Sequence, residues 1–138
     1  MDVLSPVERS AQMALVRSKD TKPEWTVRRI VHALGFRYRL HSSLLPGKPD
    51  LVFPRLQKII FVHGCFWHLH GGRCPLTRMP KSRLEFWQTK LQANRRRDDK
   101  TLRCLRSAGW RVLVVWECQM RESDLLRARI VEFLESDT

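Results

Sequence analysis

The chain has no uninterrupted apolar stretch long enough to cross a bilayer, no signal-peptide pattern and no clearly basic amphipathic helix, which argues against membrane insertion and for a soluble, cytoplasmic protein. It also lacks internal repeats, low-complexity tracts and any linker long enough to divide it, so residues 1–138 are expected to form one domain. Acidic residues are scarce: 14 Asp plus Glu stand against 26 Lys plus Arg, a formal net charge of +12. A surplus of that size implies a polyanionic partner. Cysteine is limited to four residues, and a chain that is 43% hydrophobic can bury an ordinary core without covalent staples. Metal ligation is therefore favoured over disulfides.

What is present is concentrated in IFVHGCFWHLHGGRC, residues 60–74, which places two cysteines, three histidines and a Phe-Trp pair directly after a strand-like apolar run. Cys65, His70 and Cys74 follow the spacing CxxxxHxxxC, and Cys118 ends a second apolar run, RVLVVWEC. Three thiolates and one imidazole would close a tetrahedral structural Zn2+ site with no open position. The plainer alternative is buried small thiols and polar loop histidines. Cys104, within LRCLRS, is expected to be a packed thiol.

Local punctuation predicts the elements. Thr21 and Glu24 form a capping box, and Trp25, Val27, Ile30, Val31 and Leu34 recur at helical spacing up to Gly35, with a further helix possible over Pro6 to Arg17. Phe36 to Leu40 alternates as a half-buried strand. After the LPGKP turn, Asp50 to Phe53 and Lys58 to His63 read as two more. Ser82 and Glu85 suggest a second capping box opening a long helix through Ser107, stopped by Gly109. Arg111 to Glu117 reads as a buried strand and Asp124 to Leu134 as an amphipathic helix. A meander followed by a helical crossover predicts an α/β fold, a mixed sheet flanked by helices.

That order resembles the restriction-endonuclease-like core, whose second strand carries a Pro-Asp pair delivering a metal-binding carboxylate; here the pair is Pro49 and Asp50. The Glu-x-Lys usual on the next strand is replaced by Phe61, Val62 and His63. With this substitution, the runs LPGKPDLVF, IFVHGCFWH, EFWQTKLQANRRRD and GWRVLVVWEC resemble the very-short-patch repair (Vsr) endonucleases, from about Arg9 to the last helix. The resemblance implies a mismatch endonuclease that nicks one strand 5' to the thymine of a T:G mispair left by deamination of 5-methylcytosine. It also implies bacterial partners in use: a cytosine methyltransferase, mismatch-repair proteins and a DNA polymerase, with the nuclease itself a monomer.

The same resemblance suggests roles for individual residues. Asp50 is the hard oxygen ligand that Mg2+ favours, joined by the Val62 carbonyl, with waters and the scissile phosphate completing the shells of two ions. His68 matches the base or orienter of the attacking water, and Asp98 the carboxylate that holds its tautomer. His63 is expected to contact phosphate or water. Glu24 matches an acidic neighbour of the metal, with capping as its alternative role. Phe66, Trp67 and Trp87 match aromatics inserted beside the mismatch, where unstacking a weak wobble pair costs less. Core packing against Leu84 and Leu91 is the alternative for Trp87. Lys48, Arg78, Lys81, Arg83, Arg95, Arg96 and Arg97 are expected to meet phosphates. The segment HLHGGRCP contains Gly71 and Gly72, which lend Cys74 reach, and any N-terminal DNA-contacting arm is confined to Met1 to Asp20. Two other readings share these residues: a nuclease of the same core with another specificity, and a zinc-stabilised DNA-binding module without cleavage.

Overall fold

The computed structural model describes residues 21–71, 74–77 and 79–136, so the expected N-terminal arm, the helix over Pro6 to Arg17, Gly72 and Arg78 lie outside the described residues. The elements run α1 (Lys22–Ala33), β1 (Arg39–Leu40), β2 (Leu51–Phe53), β3 (Lys58–His63), a 3-10 turn (Pro75–Thr77), α2 (Leu84–Ser107), β4 (Arg111–Trp116), a second 3-10 turn (Glu117–Arg121) and α3 (Ser123–Glu135). The sheet has the order β1-β2-β3-β4. Its first two pairings are antiparallel and the third, made through α2, is parallel. This is the mixed sheet flanked by helices that the pattern predicts.

Both faces of the sheet are covered, which is why β2 and β3 read as continuous apolar runs rather than alternating ones. On one face Leu51, Phe53 and Ile60 pack with Val27 and Val31 of α1 and Leu126, Ile130 and Leu134 of α3. On the other, Val52, Ile59 and Phe61 pack with Leu102 and Leu105 of α2. A buried Lys58 ties the first layer together: its Nζ donates to the carbonyls of Phe133, Leu134 and Ser136, an arrangement that suits a cation at a helix C-terminus.

Several local expectations are corrected. Only Arg39 and Leu40 of the expected Phe36–Leu40 strand pair with β2, because Phe36 and Tyr38 are spent packing onto the core from irregular backbone. The Ser82–Glu85 capping box does not form. The cap is Arg83 in left-handed backbone with no side-chain cap bond, which leaves Ser82 one residue outside the helix. Trp25 is half exposed and lies beneath the Arg28 guanidinium instead of in the core. In β4 only Val115 is fully buried, as fits an edge position among the described strands. Cys104 is exposed on α2, not packed.

Candidate active site and metal centre

The parallel β3–β4 register explains how a remote cysteine joins the strand-end loop. His63 stands opposite Trp116, so Cys65 and Cys118, each two residues further on, leave the sheet side by side. Cys65 Sγ and Cys118 Sγ lie 3.5 and 3.4 Å from His70 Nδ1. With Cys74 Sγ, these ligand atoms all fall within 4.8 Å of one another. A tetrahedral ion with bonds of about 2.3 Å to sulfur and about 2.0 Å to nitrogen places its ligands about 3.5–3.8 Å apart, so the cluster has the size and the donors to hold a metal ion. Burial pushes the Cys65 thiol up to about 12, whereas at Cys74 burial is outweighed by hydrogen bonds from Thr77 and the Leu76 backbone, which bring the thiol down to about 6. The four cysteines are free of disulfides. His70 is held from behind by stacking on Trp116, with centroids 4.1 Å apart, and by its own N–H donating to the Cys65 carbonyl.

Beside this cluster a cavity of about 200 Å3 opens at the C-terminal end of β3, lined by Glu24, Gly47, Lys48, Asp50, Val62, His63, His68, Asp98 and Thr101 among others. Asp50 Oδ2 accepts the Val62 N–H at 2.6 Å. Burial raises the Asp50 carboxyl to about 7; the Val62 hydrogen bond opposes this and the nearby Glu24 charge adds to it. Glu24 Oε2 accepts from Arg28 Nη2 and contacts His41 Nε2, both at 3.0 Å. Thr21 Oγ1 accepts the Glu24 N–H, so the residue starts α1 through its backbone and serves the cavity through its side chain. The two carboxylates and the His41 imidazole form a donor set able to hold a cation.

Across the cavity His68 Nδ1 donates to Asp98 Oδ2 at 2.6 Å, which leaves Nε2 to exchange a proton. His63 stacks on His68 with centroids 3.8 Å apart and planes 6° from parallel. Burial, assisted by His68, lowers His63 to about 3 and keeps it neutral. Thus Glu24, Asp50, Val62, His63, His68, Asp98 and Lys48 line one cavity.

The aromatic residues form a second feature at the start of α2. Phe66, Trp67 and Trp87 meet edge to face at 5.2 to 5.9 Å, half buried and outside both core clusters. Phe86 adds a fourth, 44% exposed ring, and Lys90 Nζ lies within 5.9 Å of the Trp67, Trp87 and Phe86 centroids. Asn94 Nδ2 donates to the Trp67 carbonyl and Arg95 Nη1 to the Leu69 carbonyl. All three arginines, Arg95 to Arg97, are exposed, and Arg95 also holds the loop through its bond to Leu69. Trp87, Lys90, Asn94, Asp98 and Thr101 recur at helical spacing, a stripe that would have exposed Lys90, Asn94 and Thr101 in the sequence. His41, Phe86 and Trp116 carry no such signal.

This arrangement belongs to the endonucleases. The structure resembles the catalytic domain of the homing endonuclease I-Bth0305I with a TM-score of 0.57 and 19% identity, covering 83% of this chain and 94% of that one, and so shares its fold. Residues 1–74 match the DNA mismatch endonuclease Vsr family. Relatives include the type II nicking enzyme V.XorIIP of Xanthomonas oryzae, 48% identical over 97% of both chains. DNA mismatch endonuclease Vsr of Escherichia coli is 38% identical over 91% of this chain and 79% of its own. The chain is a DNA endonuclease of the Vsr family. No helix among its described residues is long and apolar enough to cross a membrane.

Proposed function

We propose that this protein nicks one strand of duplex DNA 5' to the thymine of a T:G mispair, by Mg2+-dependent phosphodiester hydrolysis, and that Zn2+ occupies the Cys65, His70, Cys74 and Cys118 cluster. The observation that carries the reading is the meeting, in one small cavity, of the Asp50 and Glu24 carboxylates with the His68–Asp98 pair. The aromatic group lies on the same helix and loop.

Phosphodiester hydrolysis requires charge compensation, a base and orientation. Asp50 and the Val62 carbonyl would hold Mg2+, which when bound supplies the positive charge that offsets the charge building on the phosphate. His68 takes the proton of the attacking water at Nε2, while Asp98 fixes the tautomer and stabilises the imidazolium. Neutral His63 backs the His68 ring by stacking and faces the phosphate. Lys48, Arg96 and Arg97 meet the backbone phosphates. Phe66, Trp67 and Trp87 stack into the step beside the mispair, where wobble geometry lowers the cost of opening it.

The test is a T:G duplex labelled on each strand in turn and incubated with and without Mg2+. Cleavage of the thymine strand alone, lost in Asp50→Ala with binding retained, is expected. Cleavage of both strands, or full activity in Asp50→Ala, would refute the assignment.

A further inference from the structure

We infer that His41 is a nitrogen ligand of the catalytic cation site, making it a mixed oxygen and nitrogen site that accepts first-row ions such as Mn2+ as well as Mg2+. The inference rests on the reading of Asp50 and Glu24 as the cation-binding carboxylates.

His41 meets the Glu24 and Asp50 carboxylates, which line the cavity, from the end of β1. Its N–H donates to the Asp50 carbonyl at 3.2 Å, the last rung between the first two strands, so the two residues are held abreast. It does so in left-handed backbone, φ 43°, a conformation costly for a non-glycine residue and concentrated at functional sites. From there Nε2 lies 3.0 Å from Glu24 Oε2 and 3.9 Å from Asp50 Oδ1. Adjacent ligands of an octahedral ion with bonds of about 2.1 Å stand about 3.0 Å apart, so these donors converge at nearly the right spacing.

The polar groups around Nε2 are gathered on Glu24. One nitrogen faces Glu24 Oε2, which only accepts, and Arg28 Nη2 at 3.4 Å, which only donates. Arg28 Nη2 already donates to Glu24 Oε2 at 3.0 Å, so Nε2 answers to Glu24, and a cation there would take the lone pairs of the nitrogen and both carboxylates. His63, a residue more than nine-tenths buried, lines the same cavity as both carboxylates from the His68 side, and its Nδ1 has no hydrogen-bond partner among the described residues. Arg28 also cancels one of the two carboxylate charges. This weakens attraction for a hard ion and increases the relative contribution of an imidazole donor.

The probe is Mn2+ added to the zinc-replete full-length protein, followed by electron spin echo modulation. Histidine-derived 14N modulation is expected in the wild type, replaced by 15N modulation when histidine alone is 15N-labelled, which requires no substitution. In His41→Gln, with an unchanged thermal transition, Mn2+ should still bind, about 10-fold more weakly, without the nitrogen modulation. Absence of modulation in the wild type, or its persistence in His41→Gln, would overturn the His41 assignment alone. Mn2+ affinity unchanged in Asp50→Asn would instead overturn the cation site itself and His41 with it.

Discussion

Replacing Asp50 with Asn is expected to abolish cleavage and, at the same time, to make the cation-free protein more stable. Burial raises the Asp50 carboxyl from 3.8 to about 7, so the folded state holds this proton more tightly than the unfolded state does. A carboxyl shifted upward in this way makes the fold less stable as pH rises from about 4 to about 7, with the full penalty above that range. The shift corresponds to a ceiling of about 4 kcal/mol. Because 16% of the side chain remains exposed, water screens part of this, and roughly 2 kcal/mol is the expected penalty near pH 8. Asn keeps an acceptor for the Val62 N–H and can donate toward Glu24 as the protonated acid does. At pH 8 without added divalent ion, with zinc retained, thermal unfolding of Asp50→Asn should therefore occur roughly 5–8 °C above wild type. The gap should shrink as pH falls from about 7 toward 4. A variant less stable than wild type at pH 8, or an increment independent of pH, would refute the account of Asp50.

Asp98→Asn should leave His68 stacked on His63 and hydrogen-bonded to an amide oxygen, but without the carboxylate charge that stabilises the imidazolium. A fall in turnover of about 10²- to 10⁴-fold is expected, with duplex affinity little changed in a filter or anisotropy titration. Cys118→Ser should lower the metal content found by elemental analysis and destabilise the fold, since it unlinks the strand-end loop from the turn after β4; a zinc-free wild type, folded and active, would contradict this. Gly47→Ala should cost about 1–3 kcal/mol in denaturant melts, because a Cβ there would lie 2.5 Å from Thr101 Cγ2 on backbone at φ 75°. Trp67→Ala should narrow the binding preference for T:G over paired duplex, whereas neutralising Arg96 and Arg97 should weaken both and flatten the salt dependence; equal loss on both duplexes from Trp67→Ala would return that ring to a packing role.

Features with a local cause were legible in the sequence. β3 runs Lys58–His63 as its apolar run indicates, and α2 ends at Ser107 before a glycine at φ 95°. The grouping of Cys65, His70, Cys74 and Cys118 was legible because thiolate and imidazole chemistry allows few combinations, although their meeting depends on the β3–β4 register. Long-range contacts beyond those the resemblance implies, such as His68 with Asp98, were not. His41 is 17 residues from Glu24, and only the short β1–β2 pairing brings it to Asp50. Trp116 reads as one more apolar strand residue, yet it stacks on His70 and meets His63 edge-on, joining the Cys–His cluster to the cavity. Trp87 could pack inward or outward by spacing alone, and its environment is decided by Phe66 and Trp67 arriving on a different segment.

The measurement that bears most directly on the central claim is a single-turnover comparison of two duplexes that differ only at one pair, T:G against T:A, with saturating protein and Mg2+. The account predicts a nick 5' to the mispaired thymine at a rate at least about 100-fold above that on the paired duplex, which corresponds to the few kcal/mol by which the wobble eases unstacking. Equal rates on the two duplexes would contradict it and leave a Vsr-family endonuclease with a different DNA specificity.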